Sequence, residues 1–420
     1  MSKARWGVAT IGATLFLLSL WQILNAASQL EITKVNSGNP PMTFMIPAGG
    51  GAKSKPLVLI GHGFAGSRVI MHGFALTFAH AGYNVGLWDF EGHGANSKPM
   101  SLEPQRQSLI EDIEKVYIEA LENDLIGNGQ VAILGHSMGS GAALDFGVQF
   151  PETAATVAVS PVFRSVTTAL PKNLLLLAGS NEASFVETAK DLLEDAGGAG
   201  GNHNDGSARL LIVIPNVEHV SILFAPQTHQ AARDWLDATF GEQIRAVAYT
   251  DMRIVWYGIG LVGALMVTMA LAQLLVEQND HGHFRRPLWQ RFVALLAGVI
   301  GATLVLWLLS MFGVQLRTFL GLLVGGFILL WFGITGVISW LVLSLKPEGF
   351  SWRKTLAGLV VFAGLWIGVG LLGQLVWLQW VLIPRRLVLW SVGLVLLLPL
   401  FLALAEMLHA ANIFGRIAWW

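Results

Sequence analysis

The run Val131-Ala132-Ile133-Leu134-Gly135-His136-Ser137-Met138-Gly139-Ser140-Gly141-Ala142-Ala143-Leu144 passes from an unbroken apolar stretch to a series of small residues, with one serine set between two glycines. A short apolar run closed by a turn signal reads as a buried strand. The small residues beyond it read as a helix that packs closely, so Ser137 falls on the turn between the two. A sharp strand-to-helix turn strains the backbone, and side chains two positions away on either side would collide with neighbouring chain. Gly135 and Gly139 meet that need. The turn holds the Ser137 hydroxyl clear of the sheet and at a helix N-terminus, where developing negative charge is favoured. This is the sequence context of a nucleophile elbow.

The elements around this run repeat its alternation. Predicted strands cover Pro56–Ile60, Asn84–Asp89, Gln130–Leu134, Ala155–Ser160, Leu174–Ala178 and Leu210–Ile214. Helical patterns cover Val69–Ala81, Pro104–Asn123, Met138–Gln149, Ser184–Ala196 and Pro226–Phe240. Strand–helix alternation implies a mostly parallel sheet with helices on both faces, an α/β class. Leu30–Lys34 and Met42–Ile46 fit an antiparallel edge hairpin. Ala196–Ser207, rich in Gly and Asn, reads as a mobile loop.

Acyl-transfer chemistry on Ser137 needs oxyanion donors, a base and an orienting acid. Gly61-His62-Gly63-Phe64 directly follows a predicted strand, which places the Phe64 amide as one donor, and the Met138 amide is the other. His219 follows the last predicted strand and is the candidate base. Gly179-Ser180-Asn181-Glu182 follows the preceding strand and offers Glu182 as the acid. The order serine, acid, histidine is the one expected of such a sheet. His136 sits inside the elbow and cannot turn back onto Ser137. His62, His72, His80 and His93 precede the nucleophile, His203 lies in the glycine-rich loop and His229 in a helix, so each reads as a packing or surface residue.

His62-Gly63-Phe64, Asp89-Phe90-Glu91-Gly92-His93-Gly94, Gly135–Gly139, Gly179–Glu182 and His219 together resemble the α/β-hydrolase superfamily, nearest its serine aminopeptidase and monoacylglycerol lipase-like branch. The resemblance spans almost all of residues 50–240 and implies the triad Ser137, Glu182, His219. It departs from the pattern in two places. Relatives more often carry Asp at the acid position, which makes Asp191 and Asp195 the alternatives to Glu182. Relatives also often insert a cap domain where only Pro161–Lys172 stands here.

The chain has 420 residues, of which 54% are hydrophobic and 13% charged, with the charges concentrated in residues 28–250. The composition divides it into residues 1–27, 28–250 and 251–420. Trp6–Leu24 is an apolar run that reads as an uncleaved anchor, with a secretory signal sequence as the alternative. Five further apolar segments near Arg253–Val276, Phe292–Gly313, Phe319–Leu345, Leu356–Ile383 and Leu387–Leu408 each reach the length of a transmembrane helix. Together they predict an all-α membrane domain. Lys3, Arg5, Arg285, Arg286, Arg291, Lys346, Arg353 and Lys354 fall on one side of six spans, against Arg317, Arg385 and Arg386 on the other. The positive-inside rule then places residues 28–250 on the non-cytoplasmic side, periplasmic or extracellular. Gly321-x-x-x-Gly325 and Gly364-x-x-x-Gly368 have the spacing of closely packed helices, including those of a homo-oligomer. Glu406 and His409 stand one turn apart where the last span meets water.

A net charge of −1 gives nucleic-acid binding no electrostatic support. The absence of cysteine excludes disulfides and thiolate chemistry. The expected activity is hydrolysis of carboxylic esters, lipid or small acyl, without metal or organic cofactor, in contact with membrane lipids. A serine aminopeptidase or amidase on the same residues is the nearest alternative. A transport or sensor protein carrying a degenerate hydrolase module is the other.

Overall fold

The computed structural model describes residues 3–35, 40–49, 54–100, 105–244, 246–272, 274, 287–322, 324–345, 352–378 and 384–408. These fall into two compact units, Met1–Ala270 with Phe362–Val381, and Leu271–Val361 with Leu382–Trp420.

The first unit begins with helix α1 (Lys3–Asn25) and the hairpin β1 (Leu30–Val35) and β2 (Met42–Pro47). There follow β3 (Leu57–Gly61), α2 (His72–His80), β4 (Asn84–Trp88), α3 (Gln105–Glu122), β5 (Val131–His136), α4 (Met138–Gln149), β6 (Ala155–Val159), β7 (Leu174–Gly179), α5 (Ala183–Asp195), β8 (Arg209–Ile214), α6 (Pro226–Phe240) and α7 (Arg253–Ala272). One eight-stranded sheet runs β1-β2-β4-β3-β5-β6-β7-β8. Strands β3 to β8 are parallel, and the hairpin adds an antiparallel edge through β2 and β4. This is the α/β-hydrolase fold that the motifs imply. Strand order reverses at β3, with β4 on one side and β5 on the other, and ligands of open α/β sheets sit at the carboxyl ends of strands around such a reversal.

Successive strand residues face opposite sides of a sheet. Val58 and Ile60 pack with Phe74, Phe78 and Trp235 on one side, while Leu57 and Leu59 pack with Trp88, Ile113 and Phe146 on the other. With both faces buried the strands read as continuous apolar runs rather than alternating ones.

One expectation is corrected. The Ala196–Ser207 segment is a tightly bonded turn, with the Gly198 amide donating to Leu193 O at 2.8 Å and Gly200 exchanging 2.9 and 2.7 Å bonds with Arg209. Gly197, Gly198, Gly200, Gly201 and Gly206 all take positive φ, so the glycines serve backbone geometry rather than mobility. Ile222 and Leu223 lie fully inside the core, with Phe224 packed against it.

Helix α7 crosses α1 closely, where a Cβ on Gly12 would stand 2.8 Å from Gly263 O. Gly364 and Gly368 press against Thr268 and Ala264 of α7 in the same chain, so this small-residue pair serves an internal contact. Ile23, Tyr257, Leu372 and Val376 close a small core among these helices.

The second unit is built on α8 (Leu288–Met311), α9 (Gly325–Val342), the first turns of α10 (Trp352–Leu365) and α11 (Pro384–Leu408). Gly298 seats α8 on Ser339 and Thr335 of α9, and Gly336 seats α9 on Leu400 of α11. Small residues let helices approach in this way. Gly321 ends a short 3-10 turn at φ 70°, whereas Gly325 opens α9, so these two share no helix face. Among the described residues six helical stretches are long and apolar enough to cross a membrane, Ala4–Asn25, Arg253–Ala272, Trp289–Met311, Gly325–Val342, Thr355–Leu372 and Leu387–Ala405. The side chains of Glu406 and His409 lie outside the described residues.

A buried ion pair braces the carboxyl edge of the sheet. The Asp89 carboxylate, one residue past β4, accepts from the Arg68 guanidinium at 2.8 Å and amide at 2.7 Å, and from the Ala95 amide at 2.9 Å. Breaking a buried pair by removing one partner costs about 3–5 kcal/mol. Asp89→Ala, which strips the buried guanidinium of its carboxylate, should therefore lower the unfolding temperature of the detergent-solubilised protein by several degrees. Thermal unfolding within a degree of wild type would show that the pair does not brace the fold.

Candidate active site

Strand β5 delivers Ser137 to the carboxyl edge of the sheet. Its amide donates to Val159 O of β6 at 2.9 Å, and its backbone stands at φ 52°, ψ −117°, a sparsely populated region that neighbouring structure must enforce. A Cβ on Gly135 would overlap Gly139 O, and one on Gly139 would stand 2.6 Å from His62 O. The glycine spacing is therefore a steric requirement at both positions. Ser140 Oγ donates to Ser137 O at 2.6 Å and accepts from the Val162 amide at 3.0 Å, which fixes the turn to the loop after β6.

Three side chains expected from the sequence meet here. His219 Nε2 lies 3.0 Å from Ser137 Oγ, and His219 Nδ1 lies 2.9 Å from Glu182 Oε2. Glu182 Oε1 accepts from the Gly179 amide at 2.6 Å and from Ser160 Oγ at 2.7 Å. The extra methylene of Glu is absorbed by a tight turn, in which the Glu182 amide donates to Gly179 O at 3.1 Å and the Asn181 amide to Val217 O at 3.0 Å. Asp191 and Asp195 are exposed on α5, while Glu182 is buried and bonded to His219.

Burial alone would raise the Glu182 carboxyl, but hydrogen bonds from His219, Gly179 and Ser160 outweigh it and hold the group below its ordinary value. It is therefore ionised at neutral pH, as an orienting acceptor for an imidazole N–H must be. Such a linked chain lets an imidazole accept a hydroxyl proton and hold the resulting charge.

The first turn after β3 lies against the same serine. A Cβ on Gly63 would stand 2.7 Å from His136 Nδ1 and 3.2 Å from Ser137 Cβ, which brings the Phe64 main chain beside the elbow. Met138 is the first residue of α4, so its amide lies at the helix N-terminus. His62 is buried, accepts from the Phe90 amide at 3.1 Å and is pushed by burial to about 3, so it is neutral.

The remaining histidines serve elsewhere. His80 contacts Ala26 O and stacks on Tyr249, His93 contacts Glu91 O, His203 contacts Thr239 and His229 donates to Leu223 O. His72 is pushed by burial to about 3. Sequence reasoning missed Ser160, His136 and Phe185. The imidazole of His136 lies 2.9 Å from His219 O, and the Phe185 ring stacks on His219 at 4.3 Å. The described residues hold no cluster suited to a metal ion.

Residues 52–194 match the family model of serine aminopeptidase, S33. No curated protein matches the chain. Several solved structures are similar over about half of it. A CIB-like hydrolase from Thermoplasma acidophilum is 16% identical with a TM-score of 0.39, covering 49% of this chain and 97% of its own. A soluble variant of monoglyceride lipase from Saccharomyces cerevisiae, in complex with a substrate analog, is 13% identical with a TM-score of 0.37, covering 53% and 97%. A proline iminopeptidase-related protein from Thermus thermophilus is 15% identical with a TM-score of 0.37, covering 50% and 98%.

The depressed Glu182 carboxyl links stability to pH. A group whose native value lies below its unfolded value, ordinarily about 4.3 for Glu, stabilises above that unfolded value. The contribution is lost as pH falls through the native one. Glu182→Gln should flatten the acid side of the unfolding temperature profile below roughly pH 5. Parallel wild-type and variant profiles from pH 3 to 7 would remove Glu182 from this linkage.

Proposed function

We propose that the chain is a membrane-integrated serine hydrolase acting on carboxylic esters. The observation that carries this reading is the hydrogen-bonded series Ser137, His219, Glu182 at a strained strand-to-helix turn. Ser137 Oγ attacks the acyl carbonyl as His219 Nε2 takes its proton. The Phe64 and Met138 amides bind the oxyanion, and Glu182 holds the imidazolium. His219 returns the proton to the departing alcohol, which leaves an acyl-enzyme on Ser137. Water, deprotonated by His219, then releases the carboxylic acid and restores the serine. Nothing in this sequence of steps calls on a metal or organic cofactor.

The substrate class is supported by the rim. Among the described residues no cap stands over the serine, because Pro161–Lys172 crosses from β6 to β7 as a short loop. Phe64, Phe163 and Val220 are 45%, 53% and 48% exposed. Each directly follows a residue that reaches the elbow or serves the site, namely Gly63, Val162 and His219. Exposed apolar side chains on these three loops suit an acyl chain. The membrane-spanning helices at α1 and α7 flank the hydrolase segment, residues 28–250, in sequence and support substrates presented near lipid. The charge asymmetry of the connecting segments supports a non-cytoplasmic placement of that segment. The family match favours one second reading, an aminopeptidase using the same residues.

Ser137→Ala and His219→Ala should each lower turnover by roughly three or more orders of magnitude, and Glu182→Gln by less. Fluorophosphonate labelling should vanish in Ser137→Ala. Assays on p-nitrophenyl esters, monoacylglycerol, phospholipid and aminoacyl amides separate the two readings, because amide cleavage without ester turnover would replace the esterase with the peptidase. Membrane-impermeant thiol labelling of a cysteine introduced at exposed Glu187 tests sidedness. Labelling only after the cytoplasmic face is opened would reverse the placement.

A further inference from the structure

His219 emerges from a turn after the edge strand β8, and its side chain is 32% exposed. Two residues outside the hydrogen-bonded series contact it, one at its main chain and one at its ring. His136 approaches from the elbow. Its Nε2 lies 2.9 Å from His219 O, and a carbonyl only accepts, so Nε2 carries the proton and donates. The two imidazole rings stand 4.8 Å apart at 43°. The opposite edge of His136 rests against Gly63, where a Cβ would stand 2.7 Å from Nδ1. The His136 ring thus fills the space between the loop after β3 and the loop that carries His219.

Phe185 approaches from α5. Its ring stacks on His219 at 4.3 Å and 22°. It lies on the first turn of the helix that Glu182 caps, and its amide donates to Glu182 O at 2.9 Å. One helical turn therefore supplies both the carboxylate on Nδ1 and the surface beneath the ring. An aromatic face attracts a cation, and His219 becomes cationic when it takes the Ser137 proton. His136 stays neutral beside it, since burial pushes it to about 4.

We propose that His136 and Phe185 are positioning residues that clamp His219, one through its main chain and one through its ring face. This rests on the hydrolase reading above. The clamp keeps Nε2 within reach of Ser137 Oγ through the proton transfers, and misplacement of a reacting group by 1 Å can lower rate by about 10²-fold.

The test uses the full-length protein in detergent with p-nitrophenyl esters. His136→Leu removes the donor and Phe185→Leu removes the aromatic face, each with apolar bulk kept. Both should lower kcat by roughly 10- to 100-fold with KM within about twofold. His136→Gln, whose amide reaches the same carbonyl, and Phe185→Tyr should each recover kcat to within about threefold of wild type. Where His136→Leu does not fold, His136→Asn takes its place, polar but too short to reach. A folded Leu or Asn variant with kcat near wild type overturns the clamp. So does a defect confined to KM, or a conservative variant as impaired as the disruptive one. Absence of turnover by the wild type on every ester and amide would instead sink the hydrolase reading, and the clamp with it.

Discussion

Much of this structure follows from the backbone that Ser137 is made to adopt. A non-glycine residue at φ 52°, ψ −117° costs of order 1–3 kcal/mol and persists only where its surroundings leave no alternative. Here they do not. The Ser137 amide is bonded to β6, its carbonyl is held by Ser140, and α4 is drawn so close to β5 and β3 that Gly135 and Gly139 have no room for a Cβ. The strain lifts the hydroxyl away from the sheet toward His219. It also aligns the α4 N-terminus with the serine, so the conformation that exposes the nucleophile brings backbone donors beside it.

The fold was legible in the sequence because both faces of the parallel sheet are buried. Val58 and Leu59 point to opposite sides and each meets a helix layer, so the inner strands show as apolar runs and the helices as intervals between runs. Ser137, Glu182 and His219 were legible because each follows a strand end, and chain order maps onto position along the carboxyl edge. The supporting residues were not. Ser160, His136 and Phe185 reach the site through contacts that join different loops, and nothing local marks them. His136 cannot face Ser137, yet a side chain directed away from Ser137 still meets the His219 carbonyl. The Ala196–Ser207 glycines misled for another reason, since composition does not separate a glycine that permits motion from one that permits positive φ.

The hydrolase segment and part of the apolar helices form one unit, and the joint between them is polar. Asp251 binds Arg253 through both carboxylate oxygens at 2.7 and 2.8 Å and accepts from Tyr249 at 3.0 Å. Burial works against the Asp251 charge, yet the adjacent guanidinium holds its carboxyl at about 2. A Cβ on Gly73 of α2 would stand 3.1 Å from Asp251 Oδ2 and 2.6 Å from the His229 ring, so the pair is inserted between α2 and α6. His229 in turn donates to Leu223 O, in the turn that follows His219.

That joint explains why composition and packing divide the chain differently. Composition changes at Thr250, where the first of the later helices long and apolar enough to cross a membrane follows, and hydropathy reports the surroundings that a helix surface suits. Packing reports contact. Helices α1 and α7 carry glycines at their crossing, the Ala26 carbonyl just past α1 contacts His80 of α2, and Arg253 at the start of α7 binds Asp251, so they pack with the sheet domain despite their apolar surfaces. A simple tether would need neither feature. One span with a flexible linker confines a domain to a surface while leaving its rotation free. Here the glycine crossing joins α1 to α7, the Ala26 carbonyl contacts His80 of α2, and Asp251 approaches Gly73 of α2. Helix α2 in turn packs on the sheet that carries Ser137.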